Sequence, residues 1–385
     1  MSTIERCPRQ EFDLLNRPEV DFDPFDVYLQ FRDLDPFWTD DEGGAWVVTK
    51  YDQVRQVLQD YRTFTHSEGR MPLDLMPSEF DPPYQTKLRS IVLPLMTADK
   101  IAPLGPKMHE VCRDLIAKFR DQGRCDAAND FARRYPILIF GRLFGLPEDR
   151  LQDFRQLAET FLHHDDQRAE AWNAIRAIIN DELEQRRRSP QDDMLNGIAQ
   201  GRIDGKLIDL DVANNLASTV FLGGLDTLPS NIGWTLRYLA DNDKQRRRII
   251  EDPSCIPGAV EEFFRRFPSV AKSAVVRATR DVEFHGAQIK QGDLVETVLV
   301  NANCDSEVFP DPLTLDFDRQ SNRHISFSAG SHRCLGSHLA RHELAVGLQE
   351  WHAAIPDYRI AEGEKPRFSG GGVFAVNYLP LEWDV

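Results

Sequence analysis

The chain has 385 residues, with 46 lysines and arginines against 62 aspartates and glutamates, and therefore a formal net charge of −16. This acidic balance argues against a nucleic-acid-binding protein, which needs a basic surface to neutralise phosphates, and against a protein held at membranes by basic clusters. Hydrophobic residues make up 41% of the chain and charged residues 28%, as in globular proteins with a substantial core.

Nothing at the start of the chain resembles a targeting segment. The opening stretch, MSTIERCPRQ, carries charges where a signal peptide needs a continuous apolar run, and no run of about 18 apolar residues occurs anywhere. The six cysteines lie far apart, which argues against a disulfide framework. The sequence therefore predicts a soluble, cytoplasmic protein with reduced thiols.

The first predicted elements follow an irregular arm of about 45 residues that is rich in proline, aspartate and aromatic side chains. β-Branched and aromatic residues at 45–50 predict a short strand, and residues 51–58 have helical spacing. Residues 64–84 contain four prolines and little periodicity. A long segment of this kind in a compact domain is commonly a functional loop.

Helical periodicity dominates the rest of the chain. It covers residues 84–96, 104–122, 127–145, 149–163, 167–188, 208–241 and 243–250. Strand character returns at residues 273–279, 282–288, 294–300 and 373–378. Neither an internal repeat nor a flexible linker divides the sequence. We therefore expect residues 1–385 to form a single, mainly α-helical domain with small β-sheets.

The longest predicted helix, residues 208–241, would be about 50 Å long and would cross the whole domain. Its middle contains Gly223 and Gly224, then Asp226, Thr227 and Pro229. A glycine and a proline each weaken a helix interior, by roughly 1 and 3 kcal/mol. This pattern indicates either a packing kink or a place where a flat ligand contacts the helix, with two proton-handling side chains beside it.

A cysteine loop precedes the last long amphipathic helix. Residues 327–336 read Phe-Ser-Ala-Gly-Ser-His-Arg-Cys-Leu-Gly, so Cys334 lies close to a helix N-terminus, where the helix dipole favours a thiolate. Gly330 allows the loop to turn with a positive φ, and Gly336 allows a bulky flat group to approach the backbone. The loop therefore suits a soft thiolate ligand to a metal.

Zinc is an alternative metal for this region. His332, Cys334, His338 and His342 are close in sequence, and the last two are spaced i,i+4 on a helix. Against zinc, the two helical histidines lie away from the apolar stripe of the helix. These residues by themselves do not decide between a zinc site and a site in which Cys334 alone binds another metal.

The order of several motifs carries a family resemblance. Glu262 and Arg265 are placed to pair on one helix face, an arrangement that is common by chance. Here the pair follows Gly223-Gly224-Leu225-Asp226-Thr227 and precedes Phe309-Pro310-Asp311-Pro312, Asp318-Arg319 and the cysteine loop. This ordered set resembles the cytochrome P-450 superfamily of haem-thiolate monooxygenases over nearly the whole chain, and in particular its bacterial camphor-hydroxylase branch.

The resemblance implies a triangular, mainly α fold that holds haem b between the long central helix and the helix after the cysteine. It implies a monooxygenase that uses O2 and electrons from a 2Fe–2S ferredoxin, which is itself reduced by an NADH-dependent ferredoxin reductase. A non-catalytic haem-thiolate sensor or ligand-binding protein is the alternative. The retention of Asp226 and Thr227 favours an enzyme.

The resemblance also assigns roles to individual residues. Cys334 would be the iron ligand, and Asp226 and Thr227 would organise protons and water near the oxygen site. The residues implied to contact the haem are Gln85, Arg89, Gly223, Gly224, Arg277, Phe327, His332 and Gly336. Glu262, Arg265 and Arg319 would form a structural ion network behind the haem.

The chain departs from the branch at three positions. Val276 stands where the family has a propionate-binding arginine, and Arg277 comes one residue late, so that a strand bulge would be needed to turn it toward the haem. Pro229 follows Thr227 where the branch has an ordinary helix former. Leu73 replaces a tyrosine that binds the camphor ketone.

The residues implied to line the substrate pocket are predominantly apolar. They are Phe64, Leu73, Thr219, Gly223, Val270 and Val373. A compact terpenoid or norisoprenoid is therefore expected rather than camphor. For docking of the ferredoxin we expect a local basic surface, formed by Lys87, Arg89, Arg323, Arg333 and Arg341.

Overall fold

The computed structural model describes residues 24–67, 75–146, 150–163, 166–273, 275–370 and 372–385. Helices form the larger part of its regular structure. In the first half of the chain they are α1 (Pro24–Leu29), α2 (Tyr51–Gln59), α3 (Tyr84–Val92), α4 (Ala98–Ile101), α5 (Gly105–Ile116), α6 (Arg134–Phe144), α7 (Leu151–His163) and α8 (Arg168–Arg188). In the second half they are α9 (Met194–Ala199), α10 (Leu210–Gly223), α11 (Thr227–Asp241), α12 (Asp243–Glu251), α13 (Ile256–Arg266), α14 (Leu299–Ala302) and α15 (Ser337–Ala354).

The strands are short and form small sheets. They are β1 (Phe37–Thr39), β2 (Ala45–Val48), β3 (Phe64–Thr65), β4 (Arg124–Asp126), β5 (Arg202–Ile203), β6 (Lys206–Leu207), β7 (Val276–Ala278), β8 (Val282–Phe284), β9 (Ala287–Ile289), β10 (Leu294–Thr297), β11 (Arg359–Ile360), β12 (Arg367–Ser369), β13 (Ala375–Tyr378) and β14 (Pro380–Glu382). The largest sheet has the order β1-β2-β10-β7-β3, in which only β2 and β10 run parallel. A second sheet has the order β11-β14-β4, and the remaining strands form three two-stranded pairs.

Two hydrophobic cores hold these elements together. The large core lies among the helices and includes the fully buried rings of Phe221, Phe263 and Trp351. The smaller core lies between the five-stranded sheet and α2. Helix α2 shows why this sequence folds as it does, because its buried Val54, Val57 and Leu58 recur at the i, i+3, i+4 spacing of one helix face.

The predicted fold class, mainly α with small sheets, is confirmed. None of the helices within the described residues is long and apolar enough to cross a membrane.

The prediction of one continuous helix over residues 208–241 is wrong. The structure has two helices, because α10 ends at Gly223 and α11 begins at Thr227. At the break the chain tightens into i→i+3 hydrogen bonds, from the N–H of Gly224 to Phe221 O (3.1 Å) and from that of Leu225 to Leu222 O (3.3 Å). Pro229 has no N–H to donate back to residue 225, so the α-helical pattern cannot bridge the break.

Two further predictions need correction. The strand predicted at 294–300 ends at Thr297, and Leu299–Ala302 form the buried helix α14. A short apolar run does not distinguish a buried strand from a buried helix. In the predicted arm, residues 1–23 lie outside the described residues, but Pro24–Leu29 are helical. Their Phe25 ring is fully buried and packs edge-on against Trp234, with the ring centroids 5.0 Å apart.

The predicted ion network is present as a fully buried pair. Arg265 Nε and Nη2 donate to the two carboxylate oxygens of Glu262, at 2.6 and 2.9 Å, and both side chains are buried. Arg319 Nε adds a bond of 3.0 Å to the same carboxylate. Arg265 also donates to the carbonyls of Asn303 (3.0 Å) and Pro312 (2.6 Å). The network therefore fixes the segment after α14 onto α13.

Replacing Arg265 with alanine should lower the free energy of unfolding by about 3–5 kcal/mol, because Glu262 would remain buried without its main partner. Urea unfolding followed by tryptophan fluorescence measures this loss. Arg248→Ala is the matched control, since it removes a 2.6 Å Arg–Asp pair whose side chains are 38% and 66% exposed. A pair of this kind contributes less than about 1 kcal/mol. Equal losses in the two variants would contradict the structural role of the buried network.

Candidate active site

The cysteine loop is held in a narrow turn against α2. Gly330 has φ +68°, and a Cβ at this position would lie 2.5 Å from the carbonyl oxygen of Leu58. Both observations require glycine, as the sequence predicts. The N–H of Cys334 donates to the carbonyl of Phe327 (2.8 Å), which closes the loop just before α15 begins at Ser337.

The Cys334 thiol lies deep in the protein but keeps accessible surface. Burial raises its pKa, whereas the N–H of Gly336 and the guanidinium groups of Arg89, Arg341 and Arg333 oppose this rise. The backbone N–H and these charges favour the thiolate, as the sequence indicates, while burial opposes them in the polypeptide without a metal ion. Coordination to a metal ion deprotonates a thiol directly.

Phe327, the first residue of the cysteine loop, packs between Phe264 and Arg341. The Phe327 ring packs on Phe264, with centroids 4.8 Å apart, and the Arg341 guanidinium lies 4.5 Å from the Phe327 centroid. Arg341 also donates two hydrogen bonds to Glu261, at 2.6 and 2.9 Å. Burial alone would raise the pKa of Glu261, but His324 and Arg341 overcome it and hold the pKa at about 2. The charge of Arg341 is thus neutralised inside the protein.

The break between α10 and α11 presents a glycine and a hydroxyl. A Cβ on Gly223 would meet nothing within 4 Å, so this position is open to a ligand. A Cβ on Gly224 would lie 2.7 Å from the ring of Phe140, so packing on α6 accounts for this second glycine. Thr227 Oγ1 donates to the carbonyl of Gly223 (3.2 Å) and bridges the break, and the half-buried Asp226 occupies the position directly before α11.

Thr227 is tied to two segments that the sequence assigns to the substrate pocket. Ser269 Oγ donates to the carbonyl of Thr227 (2.5 Å), and the carbonyl of Ser269 accepts from the N–H of Phe374 (2.9 Å). The neighbouring Val270 and Val373 are half-buried. These bonds hold the predicted proton-handling hydroxyl and the predicted substrate contacts in one unit.

Side chains of helix α11 also bind the two segments that carry Val270 and Val373. Trp234 Nε1 donates to the carbonyl of Phe374 (2.8 Å), and the Ser230 hydroxyl donates to that same carbonyl. Asn231 Nδ2 donates to the carbonyl of Phe267 (2.9 Å). Buried side chains of α11 therefore supply the hydrogen bonds that these two loop segments need.

One predicted pocket residue does not line this region. Phe64 is wrong as a pocket residue: it is 1% exposed and belongs to the smaller core, where it packs edge-on against Phe284. Alternation along β3 directs it to the face opposite Thr65. Leu73 lies outside the described residues. Thr219 is half-buried on α10, and its hydroxyl lies 3.5 Å from Oδ1 of Asn215.

Helix α3 is tied to the cysteine loop by two of the predicted haem contacts. Gln85 Nε2 donates to the carbonyl of Ser331 (2.6 Å), and Arg89 Nη2 donates to the carbonyl of Arg333 (2.5 Å). His332 lies between these two anchored residues. Its Nε2 is buried and has no hydrogen-bond partner within the described part of the chain.

The bulge expected before Arg277 would fall on a stretch that includes residue 274, which lies outside the described residues. On either side of that stretch, Lys272 bridges to Val298 and Val276 pairs with Val295. Val276 is buried in the smaller core, and Arg277 points to the opposite face of the sheet. Arg277 Nη1 donates to the carbonyl of Gly292 (2.7 Å).

These features fit a flat, anionic, metal-containing group. The structure has an accessible thiol at Cys334, an open face at Gly223 and, at His332, a buried ring nitrogen without a partner among the described residues. A Cβ on Gly336 would have its nearest neighbours 3.7 and 3.9 Å away, so this part of the loop is also uncrowded. Within the described residues, no group of three or more His, Cys, Asp or Glu side chains could hold a metal ion, so zinc lacks a ligand set there.

Sequence reasoning missed two residues that the structure places at this site. Ser269 binds the carbonyl of Thr227, and His66 stacks on His332 with the ring centroids 3.8 Å apart. Neither belongs to a motif. The only available signal for His66 was a single histidine directly after a short strand, which is too weak to assign a role.

Comparisons with known proteins agree with this geometry. A family model for Cytochrome P450 matches residues 138–351. The chain is 33% identical over 358 residues to a probable cytochrome P450 127A1 of Sinorhizobium fredii, covering 90% of this chain and 86% of that protein. It is 30% identical over 358 residues to a vitamin D(3) 25-hydroxylase of Pseudonocardia autotrophica, covering 88% of each chain.

Two solved structures of the camphor-type branch superpose on the whole chain. The crystal structure of CYP101J2 does so with a TM-score of 0.91 at 32% identity, covering 99% of this chain and 100% of that one. The crystal structure of CYP101C1 gives a TM-score of 0.90 at 29% identity, covering 99% of each. Because the family model spans more than half of the chain and these relatives match nearly all of it, the chain belongs to the cytochrome P450 superfamily and is a monooxygenase that carries haem b on a cysteine thiolate.

Proposed function

We propose that this P450 hydroxylates a small apolar substrate, a terpenoid or norisoprenoid, with Cys334 as its iron ligand and a 2Fe–2S ferredoxin as its electron donor. An NADH-dependent ferredoxin reductase would reduce the ferredoxin. The observation that carries the proposal is the bridged helix break. There the Thr227 hydroxyl donates to the carbonyl of Gly223, and the space beside the Gly223 Cα is open. When bound, the haem supplies the iron at which O2 is reduced and from which one oxygen atom reaches the substrate.

Thr227 and Asp226 would deliver protons to this site. A hydroxyl has one donor and two acceptor positions, so Thr227 Oγ1 can accept from water while its own proton is held by Gly223 O. Asp226, half-buried at the start of α11, supplies a carboxylate that exchanges protons with water beside that hydroxyl. Ser269 holds the backbone of Thr227 and so keeps the hydroxyl aligned.

Replacing Thr227 with alanine should uncouple NADH consumption from product formation. Without the hydroxyl, proton delivery is no longer directed to one position. We therefore expect the product formed per NADH to fall about tenfold or more while hydrogen peroxide rises. The measurement uses the enzyme with its ferredoxin and reductase and quantifies NADH, peroxide and product together. Thr227→Ser keeps the hydroxyl and should retain most of the coupling. An alanine variant with unchanged peroxide yield and coupling would remove Thr227 from this role.

The substrate class follows from the side chains at the tied pocket segments. Val270 and Val373 are apolar, and the polar Thr219 has Asn215 as a neighbour within its own helix. With few donors for a ketone, hydrophobic burial would dominate binding. A hydroxylated product formed with NADH, ferredoxin and reductase would also separate an enzyme from a haem-thiolate sensor.

Ionones should bind at least about tenfold more tightly than camphor, a difference of about 1.4 kcal/mol. Both compounds carry a ketone, which finds few donors here, but the larger apolar skeleton of an ionone gains more from burial. A titration of the ferric enzyme that follows the low-spin to high-spin shift measures both dissociation constants. Val373→Phe should weaken ionone binding by filling the pocket, whereas Val282→Phe, in the β8–β9 pair, is the control. Tight and fully high-spin camphor binding would contradict this substrate class.

We further propose that the ferredoxin docks on exposed arginines at the cysteine loop. Of the five cations in the predicted basic surface, Arg323 and Arg333 are exposed. Lys87 pairs with Asp204 (2.6 Å), and Arg341 pairs with Glu261, so both charges are already compensated. The docking surface would therefore centre on the first two arginines, and an acidic ferredoxin would meet it despite the net charge of −16.

Arg333→Glu should slow reduction by the ferredoxin about tenfold at low salt and flatten its dependence on ionic strength, because a rim charge acts mainly on association. Anaerobic stopped-flow reduction at several salt concentrations measures both effects. Arg188→Glu, an equal charge change on the exposed end of α8, is the matched control and should behave like the native enzyme. If the two variants respond alike, only net charge matters and the docking surface lies elsewhere.

A further inference from the structure

His66 lies where three parts of the site meet. Its backbone N–H donates to Oδ1 of Asp81 (3.1 Å), directly before α3, which carries Arg89. The residue before it pairs with Arg277 across β3 and β7. The side chain therefore lies between α3, the five-stranded sheet and the cysteine loop, although it belongs to no family motif.

The His66 ring fixes the orientation of His332. The two imidazoles stack with their centroids 3.8 Å apart and their planes inclined by 24°. The His66 side chain is 4% exposed, so the stack lies inside the protein. A buried and closely stacked neighbour leaves the His332 ring little freedom to rotate.

Both rings keep a buried nitrogen that lacks a partner in the described part of the chain. These atoms are Nδ1 of His66 and Nε2 of His332. Burial lowers the pKa of His66, so its imidazole is neutral, with one donor and one acceptor nitrogen. Buried polar atoms are rarely left unbonded, so two neighbouring ones indicate a ligand with polar atoms at this place.

We propose that His66 binds the haem: its ring holds His332 in place, and its Nδ1–H donates a hydrogen bond to a haem propionate. Haem b carries two propionate carboxylates, and the donors around this position suit a carboxylate. Arg89 and Gln85 lie on the helix that begins just after Asp81. A neutral imidazole can donate to a carboxylate without itself becoming charged, which matches the buried position of His66.

The test compares His66→Phe with His352→Phe. The first variant keeps a ring for stacking but removes the nitrogen. The second changes an equally buried histidine, 4% exposed, whose nitrogens already bond to Leu348 O (2.8 Å) and the Tyr358 hydroxyl (3.2 Å). Two readouts on the substrate-free ferric enzyme are used: the rate of haem transfer to excess apomyoglobin, and the propionate bending band in the resonance Raman spectrum.

His66→Phe should raise the transfer rate about tenfold, the effect expected for one lost hydrogen bond to a charged group, and should shift the propionate band. His66→Asn, which restores a donor, should recover at least half of this effect on a logarithmic scale. His352→Phe should lower the melting temperature but leave both readouts unchanged. A native transfer rate in His66→Phe would overturn the proposal, and so would a faster transfer with an unshifted propionate band, because packing alone would then account for it.

Discussion

The position of the whole cysteine loop depends on one buried carboxylate. Glu262 is 0% exposed and accepts hydrogen bonds from Arg265, Arg319, Asn322 Nδ2 (3.0 Å) and the N–H of Asp316 (2.8 Å). A carboxylate buried without such partners would cost several kcal/mol, so every donor must reach it at once. These donors come from α13 and from the segment before residue 327. These hydrogen bonds therefore fix the position of that segment relative to α13. The loop that carries Cys334 is the next part of the chain, so its starting point is fixed as well.

The break between α10 and α11, by contrast, is a place where the backbone itself is locally unfavourable. At the break between α10 and α11, backbone carbonyls lose their helical donors, which normally destabilises a structure. Here the Thr227 hydroxyl donates to the carbonyl of Gly223, and the Ser269 hydroxyl donates to the carbonyl of Thr227. The sequence tolerates a locally weak helix because these side-chain hydrogen bonds compensate for it. Residues that weaken the local helix but are compensated by contacts with other parts of the chain are expected at a functional site.

Much of this arrangement could be predicted from the sequence, and the limits have physical causes. The fold class, the amphipathic α2 and the Glu262–Arg265 pair depend on local periodicity and on an ordered set of motifs, which a single chain displays. The direction of Phe64 depended on the register of a two-residue strand, which has too little pattern to fix a face. The helix break was visible as glycine and proline, but whether they bend or end a helix is decided by partners such as Ser269, far away in sequence. The stack of His66 on His332 joins residues that no spacing rule connects.

The Cys334 thiol shows how the polypeptide and its cofactor depend on each other. The sequence favours a thiolate because of the helix N-terminus, yet α15 begins only at Ser337, and burial raises the pKa of the thiol. Arg89, Arg333 and the N–H of Gly336 reduce this rise without cancelling it. Their role is then to support the negative charge once coordination has removed the proton, not to create it. Since binding to the folded state alone adds to stability by mass action, the haem also stabilises the loop that presents its ligand.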